Sequence, residues 1–398
     1  MKSLTFLFYY ILSFALTFGS VNPFTVQVDD SVIGEQQGYT PILLAICVLF
    51  SLFDKALRKD ISTNACFVKV LLWFDFILLI SELWYDCNSF GNSFVFLIKL
   101  IACQVGFIVF MSYFKLYPIV LKRSLKLYQL ACVLIISLYF MGALSSMLYY
   151  SNGRLFLFGI NPNTYSFMMG LGLLYALNDF LNRRQTKFLR LFDLYSVLIL
   201  LMYIILSGSR GTFLFCSLGC LILIGKQFLK NFNLLLPALL IGFFVIYNFV
   251  KVESQEISLF DRLSEMKEGD SRSELIDHAF QIFSNSPIFI GVGSVGYTQE
   301  SLSRFRDARD SHNMIISSLV LTGLIGTYLL LRFLYILFDR IRKNHYKNRL
   351  ALALLIYMIL ISLKTGWILT YTLMWYIFSV SMAMNEYTEI NNLTYKKK

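Results

Sequence analysis

"DARDSHNMIISSLVLTGLIG", Asp307 to Gly326, opens with four polar or charged residues in five and one of the chain's three histidines. It then runs without a break into apolar residues at helical spacing. A polar head feeding an apolar helix is how a chain enters a bilayer, and the rest of the sequence repeats that character. The 398 residues are 57% hydrophobic and only 15% charged, too little polar surface for a soluble domain of this length. A bilayer core takes about 20 apolar residues per helix. Such runs read as spans near 4–20, 41–57, 65–85, 93–114, 127–149, 164–180, 191–206, 211–225, 232–250, 313–338, 350–363 and 368–385. The expectation is an all-α polytopic membrane protein of about twelve transmembrane helices, one helical unit over residues 1–398.

The net charge is +11, and its placement carries the information. Basic residues collect in alternate connections: Lys55, Arg58 and Lys59; Lys115, Lys122, Arg123 and Lys126; Arg183, Arg184, Lys187 and Arg190; Lys226 and Lys230; Arg340, Arg342, Lys343, Lys347 and Arg349. The tail ends in Lys396, Lys397 and Lys398. The positive-inside rule makes that side cytoplasmic and puts both termini there. The basic balance is thus a topology signal, and no nucleic-acid partner is expected. The first apolar run has only Lys2 before it and no clean small-x-small cleavage site, so it reads as an uncleaved span. Of the seven cysteines only Cys87 falls in an outer connection, so no disulfide framework is expected. No cysteine or histidine cluster has metal-ligand spacing, and neither metal nor cofactor is expected.

Most connections are short. The exception is 251–312, about sixty residues on the outer side and too long for a simple connector. Two amphipathic helices are legible there, one on Ile257, Phe260, Leu263 and Met266, the other on Leu275, Ile276, Ala279, Phe280 and Phe283. Such helices can lie on the membrane face and roof a cavity between spans. "SNSPIFIGVGSVGY" after them reads as a glycine-punctuated turn region.

Four polar constellations share this outer side. "LSGSRGTF", Leu206 to Phe213, is a tight hairpin that puts Arg210 at membrane depth where basic residues are disfavoured. A guanidinium beside a helix start near Gly211 suits an anion, and a charge at that depth usually has a function; the alternative is an arginine snorkelling to the interface. In "DSRSELIDHAF", Ser271 and Glu274 form a capping-box pattern that starts a helix at Arg272. Arg272 there opposes the helix dipole unless an anion is present, and pairing with Asp270 or Glu274 is the equal alternative. "GRLFLFGINPNTYSF" carries Arg154 and an Asn161–Pro162–Asn163 turn, with Asn163 or Thr164 as the helix cap. The fourth is the opening stretch. Gly323 and Gly326 lie on nearly one face and allow a close helix neighbour, which fixes His312 at the outer surface. A histidine there exchanges protons near neutral pH, although a lone histidine is more often structural.

Arginines suit a phosphate or diphosphate, a histidine suits deprotonation of a hydroxyl, and an apolar multi-span body suits a lipid tail. Transfer of a sugar from a lipid diphosphate to a hydroxyl needs all three. The residues also carry a resemblance: "HNMIISSLVLTGLIG", with nine residues between Asn313 and Gly323, together with "SGSRG", "SRSELIDHAFQIFSNSPIFIGVG" and "RLFLFGINPN". Roughly from Arg154 to Tyr328, the chain resembles the O-antigen ligase and polymerase superfamily of bacterial envelopes. The resemblance implies a C-type glycosyltransferase fold and a multi-pass protein of the inner membrane, with its site on the periplasmic side. It implies a glycan donor on undecaprenyl diphosphate, a glycan acceptor, and an inverting, metal-independent transfer. By the family pattern, Arg210 and Arg272 bind the diphosphate and His312 is the general base. Arg154, Arg309 and Asn313 are further candidate substrate-binding residues, and membrane lipids and a chain-length regulator are candidate partners. Polymerase is the first reading, and ligase to lipid A–core the second. The rival class is a transporter or lipid-linked oligosaccharide flippase, for which Lys69, Asp75 and Lys99 within spans would argue, unless they pair with one another.

Overall fold

The computed structural model describes residues 2–18, 40–85, 90–144, 148–151, 154–157, 161–181, 186–230, 271–305, 311–343, 348–365 and 368–396. Its helices are α1 (Lys2–Ala15), α2 (Thr40–Leu52), α3 (Lys55–Thr63), α4 (Ala65–Tyr85), α5 (Phe90–Leu116), α6 (Pro118–Phe140), α7 (Pro162–Leu181), α8 (Lys187–Leu206) and α9 (Arg210–Lys230). Beyond them follow α10 (Ser271–Ser284), α11 (Gly293–Phe305), α12 (Met314–Lys343), α13 (Arg349–Ser362) and α14 (Thr372–Lys396). An antiparallel hairpin, β1 (Leu148–Ser151) and β2 (Arg154–Leu157), precedes α7.

Local chemistry sets the boundaries. Asp54 caps α3 through Oδ1, which accepts from Ala56 N–H at 2.9 Å. Pro118 begins α6, where a missing N–H costs nothing. Asn161 Oδ1 accepts from Asn163 N–H at 2.9 Å just before Pro162, so Asn161 rather than Asn163 or Thr164 starts α7. Asn348 caps α13 through Ala351 N–H.

Side-chain contacts order the helix ends on two faces. At one face Lys2 lies over the Tyr117 ring, and Tyr117 donates to Asp54. Lys115 pairs there with Asp60 (2.8 Å) and Glu386 (3.1 Å), and Arg340 lies against Glu386 and the Phe67 ring. The same face carries the start of α13, where Arg349 Nη1 donates to the Leu223 carbonyl near the end of α9 (3.4 Å). Gly225, at φ 35, ends the regular part of α9 at that point, and a cation beside freed carbonyls is favourable. The opposite face carries the starts of α7, α9 and α12 and the ends of α4 and α13. Between the faces lies an aromatic core, in which Phe107 and Phe333 contact each other and each contacts both Phe67 and Trp375, with ring centroids 5.4 to 6.1 Å apart.

Several expectations are corrected. Among the described residues, three helices are long and apolar enough to cross a membrane: Val95–Leu116 within α5, α8 and α12. The bent pair α2–α3 makes up to four. The described residues thus bear out an all-α membrane protein, with shorter apolar helices at Lys2–Ala15, Arg210–Gly225 and Arg349–Ser362 beside these, and do not establish the count of twelve. The expected span 41–57 is broken, because α3 leaves α2 at 102° to lay its charged residues along a surface. The span expected at 127–149 begins at Pro118 and ends at Phe140, with Leu148 and Tyr149 in β1. The basic residues 122–126, expected in a connection, stand inside α6. They can do so because Lys126 meets Asp193 (2.5 Å) and Asp179 (3.5 Å), with Gln129 and Ser196 completing the network. The sheet hairpin departs from a purely helical chain. "GSVGY" is helical from Gly293, not turn. Asp75 accepts from Gln104 at 2.8 Å, and among the described residues no ion pair joins it to Lys69 or Lys99. The ninth expected span, the helix expected on Ile257 to Met266, and His345 lie outside the described residues.

Candidate functional site

Three residues, Ser207 to Ser209, turn the chain from α8 into α9. Gly208 permits this with φ 63, and the Ser209 carbonyl takes the first helical N–H, from Phe213, at 3.0 Å. Arg210 is thus the first residue of α9, half-buried, one position earlier than expected. The buried Ser209 hydroxyl donates to Asn163 Oδ1 at 3.1 Å and lies 3.0 Å from the Thr212 hydroxyl. These bonds tie the start of α9 to the start of α7, so two of the four polar constellations meet. A second cation stands there: a Cβ on Gly211 would overlap the Lys364 ammonium group and sit 2.8 Å from its Cε. Lys364 follows the end of α13, and sequence reading missed it. The usable signal was the one that singled out Arg210, a basic residue on the disfavoured side.

The start of α12 is built differently. His312 has φ 54, in the left-handed region, the only non-glycine there among the described residues. It is held by its neighbours. The Ser311 hydroxyl is buried against Ser317 (3.0 Å), and Asn313 Oδ1 accepts from Ile315 and Ile316 N–H at 3.0 and 3.2 Å. Asn313, a candidate for substrate, therefore spends its oxygen capping α12. His312 is half-buried, with Nδ1 turned inward.

Ten residues into α12 the helix breaks at Gly323 (φ 62, ψ −162). The segment Ile288–Val292 runs through the break. Val292 N–H donates to the Val320 carbonyl at 2.9 Å, and Leu324 and Ile325 N–H donate to the carbonyls of Ile288 (2.9 Å) and Phe289 (3.2 Å). The groups freed by the kink are thereby satisfied within the protein, as a membrane interior requires. A Cβ on Gly323 would collide with Phe289, and one on Gly291 with the Val320 carbonyl. Gly323 is needed for a crossing loop rather than for the helix neighbour expected from sequence. That loop joins α10 to α11, and both pack against α12.

The first half of the chain locks this arrangement from α4. The buried Glu82 carboxylate accepts from Ser294 N–H (2.6 Å) and its hydroxyl (2.5 Å), at the positive end of α11. Gly293, at φ 71, leaves it room. Ser81 donates to the Ile290 carbonyl, and Tyr85 donates to Glu300 at 2.8 Å. Glu300 also pairs with Arg304 at 2.6 Å. Burial works against the Glu300 charge, but the bonds from Tyr85 and Arg304 outweigh it and hold the carboxyl below its usual range. Arg304 is thus engaged in the fold.

The site residues expected from sequence fare unequally. Arg210 and His312 stand at the starts of α9 and α12, and α13 packs against both helices. Arg272 is the second residue of α10, one position from its expected start, and Arg154 opens β2; their side chains are not among those described. Arg309 lies outside the described residues.

Residues 195–331 match the O-antigen ligase family model. The match supports the O-antigen polymerase and ligase superfamily for this chain. Members of that family are membrane glycosyltransferase-like enzymes, in keeping with the apolar helices. The matched segment contains Arg210, Arg272, Arg309, His312, Asn313 and the crossing at Gly323, while Glu82, Arg154 and Lys364 lie beyond it. No curated protein matches the chain at a significant level.

Proposed function

We propose that the protein is an O-antigen or capsule-type polymerase of the bacterial inner membrane. It would transfer a glycan from undecaprenyl diphosphate to a hydroxyl of another lipid-linked repeat unit, on the periplasmic side. The observation that carries this reading is the shared face: Arg210 at the start of α9 and His312 at the start of α12, with α13 packed against both helices. In this reading Arg210 and Arg272 bind the diphosphate, and Arg154 and Arg309 extend the basic surface toward the glycan. His312 takes the proton from the acceptor hydroxyl. The hydroxyl oxygen then bonds to the anomeric carbon from the side opposite the diphosphate. The carbon–oxygen bond to the diphosphate breaks, its electron pair stays on the phosphate oxygen, and the configuration inverts. The arginines stabilise the charge that develops on the leaving group. The held left-handed conformation of His312 supports a base whose position is fixed before substrate arrives.

A ligase reading has its own support in the description of the matched family. It keeps the donor and His312 and changes only the acceptor, to lipid A–core. Deleting the gene separates the two. A lost polymerase leaves lipid A–core capped with a single repeat; bare core, with long chains accumulating on undecaprenyl diphosphate, would overturn the polymerase assignment in favour of the ligase.

A further inference from the structure

The segment from Pro287 to Val292, "PIFIGV", carries no polar side chain, yet it is irregular backbone between two helices. Its backbone groups are taken up within the protein. The carbonyls of Pro287, Ile288, Phe289 and Ile290 all accept, the last from the Ser81 hydroxyl, and the N–H groups of Ile290, Gly291 and Val292 all donate. An outer loop in water has no need of this, whereas irregular backbone at membrane depth does.

The depth follows from the two helices that hold the segment. At the far face Lys115, Asp60, Glu386 and Arg340 form a charged network, and Arg340 lies over the Phe67 ring, which meets Phe333 at 5.8 Å. Phe67 and Phe333 therefore share a level near that membrane boundary. The rise along α4 from Phe67 to Ser81 is about 21 Å, and along α12 from Phe333 back to Gly323 about 15 Å. A hydrocarbon core is about 30 Å thick, so the crossing lies at or past its middle and short of the boundary near His312. The side chains agree with that level. Phe289 is 65% exposed and Ile288 48%, and the neighbouring stretch of α12 turns Leu324, Tyr328 and Leu331 outward at helical spacing. The exposed tip thus continues the outward apolar stripe of a helix fit to cross a membrane.

We propose that α10, the crossing segment and α11 form a re-entrant hairpin, and that Ile288 and Phe289 at its tip are a lipid-contact surface among the acyl chains of the leaflet on the His312 side. α10 leads down to the tip and α11 leads back, so this part of 251–312 is a wedge in the bilayer rather than a loop lying on it. The wedge also sets a level for the start of α12. Met314 stands about 14 Å above Gly323, which brings His312 to the headgroup layer, where lipid phosphates lie.

The test places the photo-crosslinker p-benzoylphenylalanine at Phe289, at Ile288 or at exposed Ser303 near the end of α11, in full-length protein in phosphatidylglycerol and phosphatidylethanolamine nanodiscs. Melting temperature is measured for each variant, and two tip positions guard against one failing to fold. After irradiation, mass spectrometry should find acyl-chain adducts as the main product at the two tip positions, several times the yield at Ser303. Lipid adducts no more frequent at the tip than at Ser303 would put the crossing outside the bilayer and overturn the proposal. Tip crosslinks to another segment of the chain or to a second copy would overturn it as well, because protein would then cover the surface assigned to lipid.

Discussion

The starts of α9 and α12 lie on one face and carry the two central candidate residues, yet they are fixed by opposite means. Arg210 is held by side chains: the Ser209 hydroxyl on Asn163, and the Lys364 chain along Gly211. His312 is held through a backbone crossing, in which the segment between α10 and α11 threads the break in α12. A site built from side chains can lose one contact and keep the rest. A site hung on backbone hydrogen bonds through a glycine pair is far less tolerant, because the groups freed at Gly323 have no water to turn to. The anchor of the second site also reaches into the first half of the chain, through Glu82.

Substitutions can break that contrast in graded steps. The largest loss is expected for Gly323→Val, which combines an unfavourable positive φ with a side chain against Phe289: about 3 kcal/mol or more, read as a lower melting temperature in detergent together with lost transfer. Gly211→Ala meets only a lysine side chain and should leave the melting temperature nearly unchanged; equal destabilisation in the two variants would erase the contrast. Next is Glu82→Ala, which strips the buried N–H and hydroxyl of Ser294 of their acceptor. About 2 kcal/mol is expected, with faster hydrogen exchange confined to α11. Asn313→Ala removes the cap of α12 and should cost about 1 kcal/mol while leaving donor binding intact. The smallest of the expected losses belongs to His278→Ala, where removal of the stack on Phe305, at 3.7 Å between ring centres, should lower stability by roughly 0.5 to 1 kcal/mol with transfer activity retained.

The placement of two candidate residues was legible from residue types alone. Arg210 and His312 announced themselves as polar residues at the mouths of apolar runs, and the α10 helix was readable from its spacing. The crossing was not, because Gly323 and Gly326 carry the same small-residue pattern whether a helix or a loop passes over them. Lys126 and its neighbours misled for a related reason: charge marks a connection only where no buried carboxylate waits for it, and Asp179 and Asp193 come from distant sequence. The hairpin was hidden because Leu148 and Tyr149 suit a span as well as a strand. Glu82 bore no mark of its role in the sequence, because the Ser294 backbone that it accepts from lies 212 residues away.

In the proposed reaction the protein transfers a glycan from a polyprenyl diphosphate with His312 as base. Purified full-length protein in nanodiscs, given an undecaprenyl-diphosphate-linked repeat unit, tests it by the length of the product chains. Elongation is expected with the wild type, none with His312→Ala despite retained donor binding, and none with Arg210→Ala, where donor binding is lost. Wild-type elongation by His312→Ala would contradict it.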